Sequence, residues 1–340
     1  MTRLLKNVKV MDNNERPIHR YQAVQKFYTV NIMKNYSILT LLGMLCLSIT
    51  TSLAQTSAED YFDLGLAKGE QGDYHGAIKA YDKAIDLDPK YKEAYFNRAS
   101  DNMAIGLYED ALNDVNQYIS LDRSLLDGYF VRGNIYIELG NLKSAIKDYS
   151  KCINGDPEWS DVYFNRALAY EEQENYQAAY EDYSKTISIS PSDADAYYNR
   201  AILLSNIFYD DQAAIKDYDM VIFLSPDDAD AYYNRAYTHE SLGNLLDAVN
   251  DYKKAIELLP EDSWAYGGLA GVYITLDKNK EAIDLLTRAI ALNSNDGWLY
   301  YNRGVAFFNS GLYKEACSDW RQADSRNYPD AKIALKEDCR

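Results

Sequence analysis

The sequence predicts an all-α fold, an α-solenoid of stacked helical hairpins, and three ladders of residues predict it. Alanine recurs at Ala77, Ala111, Ala145, Ala179, Ala214, Ala248, Ala282 and Ala316, with every gap 34 residues except one of 35. Tyrosine keeps the same period at Tyr61, Tyr95, Tyr129, Tyr163, Tyr197, Tyr232, Tyr266 and Tyr300, and Gly or Ala follows each of them four residues later, from Gly65 and Ala99 to Ala270 and Gly304. A period of this size means one supersecondary unit copied end to end, each copy able to bury its apolar face only against its neighbours.

The elements follow in order. Residues 1–32 lack periodicity. They read as a leader, with translation starting at Met33 or, alternatively, with a long basic extension before it. Met33, Lys34 and Asn35 then precede an apolar run from Ile38 to Leu47, and Ser52, Leu53 and Ala54 form a small-residue cleavage pattern before Gln55. That order of charge, apolar run and small residues predicts a secretory signal peptide over 33–54. A spanning helix needs about 20 apolar residues, more than this run supplies, so the chain is expected to be periplasmic or secreted, without a stable membrane span after cleavage. A membrane anchor through an uncleaved 38–54 segment is the alternative. Cys46 follows Leu45, so the small residue that a lipoprotein cysteine needs before it is missing.

Inside each copy, with Ala58 as position 1 of the first, apolar residues fall at positions 4, 8 and 11 and again at 17, 20, 24 and 27. This spacing of three and four puts them on one face of each of two helices. A turn glycine separates the helices in five copies (Gly72, Gly106, Gly140, Gly243, Gly311), where a left-handed backbone ends the first helix without a Cβ penalty. Proline at position 32 (Pro89, Pro157, Pro191, Pro226, Pro260) stops the second helix, and Asp193, Asp228 or Asp262 then stands where an N-cap is wanted.

At these residues the chain resembles the tetratricopeptide repeat family through nearly all of 58–330. The resemblance implies a right-handed superhelix whose copies span 58–91, 92–125, 126–159, 160–193, 194–228, 229–262, 263–296 and 297–330, with residues 331–340 looking like the family's capping helix. Departures are local. The fifth copy has one extra residue around Phe208 and Tyr209, Arg123 and Ser294 replace the proline, and the seventh copy is glycine-rich in its first helix.

Comparison of the copies exposes a covarying pair. Arg stands at position 7 in six copies, and the same six have Asp at position 23: Arg98 with Asp114, Arg132 with Asp148, Arg166 with Asp182, Arg200 with Asp217, Arg235 with Asp251, Arg303 with Asp319. The two exceptions change together, to Leu64 with Ala80 and Leu269 with Leu285. The pattern predicts a bridge between the two helices of one hairpin, in which a planar guanidinium suits a carboxylate. Its role is structural rather than catalytic.

Charge and composition bound the function. The whole chain has formal charge −17. Without residues 1–54, which hold seven basic and two acidic residues, 28 basic and 50 acidic residues remain, a formal charge of −22. Nucleic acid is excluded as an expected partner, because phosphate contacts need clustered Lys and Arg. After residue 54 the only histidines are His75 and His239, neither with a Cys or His at ligand spacing. No phosphate-binding glycine loop follows a strand, so no metal, cofactor or catalytic site is expected and the chain reads as a non-enzyme.

What remains is a binding surface. The resemblance implies a concave face lined by positions 2, 5, 9, 12 and 13 of the first helices. Position 5 supplies Phe96, Phe130, Phe164, Tyr198, Tyr233 and Tyr301, and position 2 supplies Asp161, Asp195, Asp230, Trp264 and Trp298. The groove is expected to have an aromatic floor and an acidic edge, suited to an extended peptide with basic or aromatic residues. Gly267, between Tyr233 and Tyr301, is expected to open a pocket beside Trp264 and Trp298. A protein-binding scaffold is the leading function. The alternatives are a self-associating structural element of the cell envelope, or an accessory subunit of an envelope enzyme or secretion machine. A disulfide between Cys317 and Cys339 is also expected. Cys317 lies early in the last copy's second helix and Cys339 near the end of a capping helix running back beside it, and the ending resembles those of other exported members of the family. Cys152, at a core position, stays outside it.

Overall fold

The computed structural model describes residues 57–339. The leader and signal segment read within 1–54 lie outside the described residues. Seventeen α-helices and no strand occur among the described residues. Residues 57–128 and 129–339 form two compact units.

The first unit contains α1 (Ala58–Glu70), α2 (Tyr74–Leu87), α3 (Lys92–Ala104) and α4 (Tyr108–Leu121). The next helix, α5 (Leu126–Glu138), begins at its end and continues into the second unit, followed by α6 (Leu142–Gly155), α7 (Ser160–Glu172), α8 (Tyr176–Ile189), α9 (Ala194–Asn206) and α10 (Asp211–Leu224). Then come α11 (Ala229–Ser241), α12 (Leu245–Leu258), α13 (Ser263–Thr275), α14 (Asn279–Leu292), α15 (Gly297–Asn309), α16 (Tyr313–Ser325) and α17 (Pro329–Asp338). Within each unit consecutive helices pack as hairpins, each second helix packs on the next first helix, and α17 closes the series against α16.

Local chemistry sets these boundaries. Asp193, Asp228 and Asp262 are the N-caps of α9, α11 and α13, each accepting a backbone N–H of the first turn at 3.0 Å. The five turn glycines all have φ between 70° and 78°. In the other three copies the turn takes the same left-handed form without glycine, at Glu174, Tyr209 and Asp277, with φ of 56° to 59°. Tyr209 is the least suited of these, a bulky side chain in a region sparsely open to L-residues.

The small residue at position 8 and the ring at position 24 form the packing unit. A Cβ added to Gly133 or Gly304 would collide with the ring of Tyr149 or Trp320, which is fully buried beneath it. Gly133→Ala would therefore overpack the hairpin at a cost of about 1–3 kcal/mol. The ladder alanines, from Ala77 to Ala316, are fully buried in all copies.

Candidate functional site

The guanidinium of each position-7 arginine grips its partner with two parallel hydrogen bonds. Nε and Nη2 reach the two carboxylate oxygens at 2.9 and 2.5 Å for Arg98–Asp114, 2.7 and 2.9 Å for Arg132–Asp148, and 2.7 and 2.8 Å for Arg166–Asp182. The remaining pairs repeat this at 2.7 and 2.8 Å for Arg200–Asp217, 2.8 and 2.7 Å for Arg235–Asp251, and 2.7 and 2.9 Å for Arg303–Asp319. All six aspartates are buried. Burial raises the Asp182 carboxyl above its ordinary value and Arg166 pulls it back only in part. Each guanidinium also lies 5.2–5.8 Å from the ring of the position-4 tyrosine in its own copy, within cation–π range.

The third guanidinium nitrogen does something that comparison of positions 7 and 23 missed. Nη1 donates back to position 25 of the preceding copy: Arg98 to Asp82 at 2.5 Å, Arg166 to Ser150 at 2.9 Å, Arg200 to Ser184 at 3.1 Å, Arg235 to Asp219 at 2.6 Å and Arg303 to Thr287 at 3.1 Å. One side chain thus joins a hairpin internally and ties it to its neighbour. The signal was present in the sequence, since position 25 of the sixth copy is Lys253 and the copy after it has Leu269 in place of arginine.

The expected aromatic floor is divided. Phe96, Phe130, Phe164 and Trp264 are half-buried, Asp161 is exposed, and Asp195 and Asp230 are intermediate. Phe130 rests against Trp159 with ring centroids 4.9 Å apart, and Phe164 meets Tyr183 edge-on at 5.6 Å. Tyr198, Tyr233, Trp298 and Tyr301 are instead core residues, between 1% and 6% exposed, too enclosed for direct contact with a partner. Tyr233 packs edge-on against Tyr252 and Tyr301 lies tilted against Tyr328, the N-cap of α17, so neighbouring rings occupy the space around them. The pocket expected at Gly267 is corrected for the same reason: the Trp298 indole fills the space that Gly267 leaves, and the Tyr252 ring fills the space at Gly268.

Two carboxyls on this face were not anticipated. Glu171 and Glu240 both occupy position 12, near the ends of α7 and α11. The hydroxyl of Tyr183 donates to Glu171 Oε2, and that of Tyr252 to Glu240 Oε2 at 3.2 Å. Burial pushes each carboxyl up to about 7, and the tyrosine bond offsets this only in part. The signal available in the sequence was weak, a Glu at position 12 in two copies that also have Tyr at position 24.

At the end of the chain Cys317 of α16 and Cys339 form a disulfide with Cα atoms 5.7 Å apart, while Cys152 is buried outside it. Among the described residues no helix is long and apolar enough to cross a membrane, and no three potential metal ligands converge.

Comparison with known proteins agrees with this geometry. A family model described as TPR repeat matches residues 65–100 and 133–174, and two described as Tetratricopeptide repeat match 160–193 and 229–262, and 265–296. An uncharacterized protein of Methanocaldococcus jannaschii is 43% identical over 42 residues, 12% of this chain, which spans about half (49%) of that relative's length. Among solved structures, the C-terminal part of a TPR repeat-containing protein from Cytophaga hutchinsonii superposes with a TM-score of 0.62 at 18% identity, over 71% of this chain and 98% of that one. A tetratricopeptide repeat protein from Parabacteroides merdae gives 0.53 at 21% identity, over 73% and 99%. These two likenesses establish the fold, and with the family matches they lead to one statement: this chain has an all-α fold and carries tetratricopeptide repeats within residues 65–296.

Proposed function

We propose that the chain is a non-enzymatic scaffold of eight copies that holds an extended partner segment, rich in basic and aromatic residues, along its first-helix face. One observation carries the reading. On that face half-buried rings, Phe130, Phe164 and Trp264, stand with the carboxylates of Asp161, Asp195 and Asp230, and no Lys or Arg occupies positions 2, 5, 9 or 13 of any copy. Aromatic anchors within an acidic rim suit a cationic, ring-bearing segment and steer its approach.

The partner meets this face in an exported protein. The segment 33–54 supplies the export signal, and the Cys317–Cys339 bridge supports an oxidising compartment. Affinity capture of the tagged chain from its native host, with mass spectrometry, tests the function when run beside the charge-reversed variant Asp161→Lys, Asp195→Lys, Asp230→Lys. The expected result is a partner with a basic, aromatic segment that the variant fails to retain. Equal recovery of the same partner on both baits would overturn the reading.

A further inference from the structure

In the second unit Gly133, Gly267, Gly268, Gly297 and Gly304 meet close neighbours and Gly140, Gly243 and Gly311 turn the chain, whereas Gly271 does neither. Gly267 and Gly268 are occupied by neighbouring rings, but a Cβ built at Gly271 would meet one atom only within 4 Å, Glu240 Oε1 at 3.9 Å. Gly271 is itself buried. A sheltered space therefore lies between α13 and the end of α11, with a carboxylate oxygen on its wall. Tyr252 holds the other oxygen, Oε2, and so fixes the orientation of Glu240.

The six buried aspartates that join the hairpins are treated differently. Asp114, Asp148, Asp182, Asp217, Asp251 and Asp319 each receive an arginine in bidentate geometry. Glu240 receives a tyrosine hydroxyl and no cation, and Glu171 repeats the arrangement with Tyr183 two copies earlier. Leaving a carboxylate in a sheltered site without a counter-charge is costly, and the upward pull of burial on both groups is offset by no Lys or Arg.

We infer that the space between Gly271 and Glu240 receives a lysine or arginine side chain of the partner segment, and that Glu171 receives a second one. The inference rests on the function proposed above and specifies its chemistry: a segment with two spaced cations. Glu171 and Glu240 occupy the same position two copies apart, and a segment with about six residues between its cations reaches roughly 20 Å when extended.

The test uses a fluorescein-labelled peptide with two arginines about six residues apart and flanking phenylalanines, and its twin with neutral citrulline in place of arginine. Binding to the full chain is followed by fluorescence anisotropy. The arginine peptide is expected to bind more tightly than the citrulline twin. Glu240→Gln should remove about tenfold of affinity for the arginine peptide, the size of one charge-assisted hydrogen bond, and leave the citrulline twin unaffected. Gly271→Val, which fills the space without changing charge, should produce the same loss, with circular dichroism melts showing that each variant is folded. If the arginine peptide is preferred yet both variants bind it as the wild type does, the site assignment is overturned while the scaffold reading stands. If neither peptide binds the wild type, both fall together.

Discussion

Arg166→Leu isolates the energetic unit of the array. In the native chain Arg166 gives two hydrogen bonds to Asp182, at 2.7 and 2.8 Å, and a third to Ser150, at 2.9 Å. The Asp182 side chain is only 8% exposed, so removal of the guanidinium leaves a buried carboxylate with no counter-charge. Breaking a buried pair in this way costs about 3–5 kcal/mol. Replacing both partners, Arg166→Leu with Asp182→Leu, removes the stranded charge and should recover all but about 1 kcal/mol, the net worth of the lost bond to Ser150. The second substitution then recovers about 2–4 kcal/mol of the loss, which a change at an independent site would not do. Urea denaturation followed by circular dichroism measures it, with the slopes compared so that a change in cooperativity is not mistaken for one in stability. Equal destabilisation by the single and the double variant would refute the reasoning.

Three further outcomes are expected. Cys339→Ser should lower stability by about 3 kcal/mol, the chain-entropy effect of closing a loop of this size, and thiol titration of denatured, unreduced protein lacking residues 1–54 should find one reactive thiol, where three would exclude the bridge. Tyr209→Gly should raise the midpoint of thermal unfolding, with a gain of about 1 kcal/mol from relief of the left-handed backbone, since the side chain is 84% exposed and loses little packing; an unchanged or lower midpoint would show that the turn is unstrained. Burial raises Glu171 and Glu240 from 4.5 to about 7, so between those values the folded state holds protons that the unfolded chain has released. Their stabilising effect is complete below about pH 4.5 and is lost as pH rises through 7; urea midpoints across this window should fall with pH, and should do so less in the Glu171→Gln, Glu240→Gln variant.

The fold was legible because the period was. A 34-residue beat in Ala, Tyr and small residues fixes helix, turn and packing faces together, and helices begin at Ala58, Ala194 and Ala229 where the copies were read to start. Turn conformation was only half legible. Glycine marks five left-handed turns, but Glu174, Tyr209 and Asp277 adopt the same backbone because the two helices on either side dictate it. On the first-helix face, type was legible and exposure was not. Position 5 marks a ring in most copies, yet the ring beneath it does not decide whether it reaches the surface: Phe164 over Tyr183 and Tyr233 over Tyr252 both meet edge-on at 5.6 Å, and only Tyr233 is enclosed. Trp298 and Gly267 show the same limit. A large residue and an absent side chain in neighbouring copies read as a pocket with a wall, whereas the wall occupies the pocket.

The central claim, that an acidic first-helix face with aromatic anchors selects basic and aromatic segments, is tested most directly by a peptide array. Immobilised decapeptides of varied basic, aromatic and acidic content are probed with the labelled chain, and then with the Asp161→Lys, Asp195→Lys, Asp230→Lys variant after its helicity has been checked. The account predicts that wild-type protein is retained by peptides combining Lys or Arg with Phe, Tyr or Trp, and that the charge-reversed variant loses this selection. Retention that ignores peptide charge, or a pattern identical for the two proteins, would contradict it.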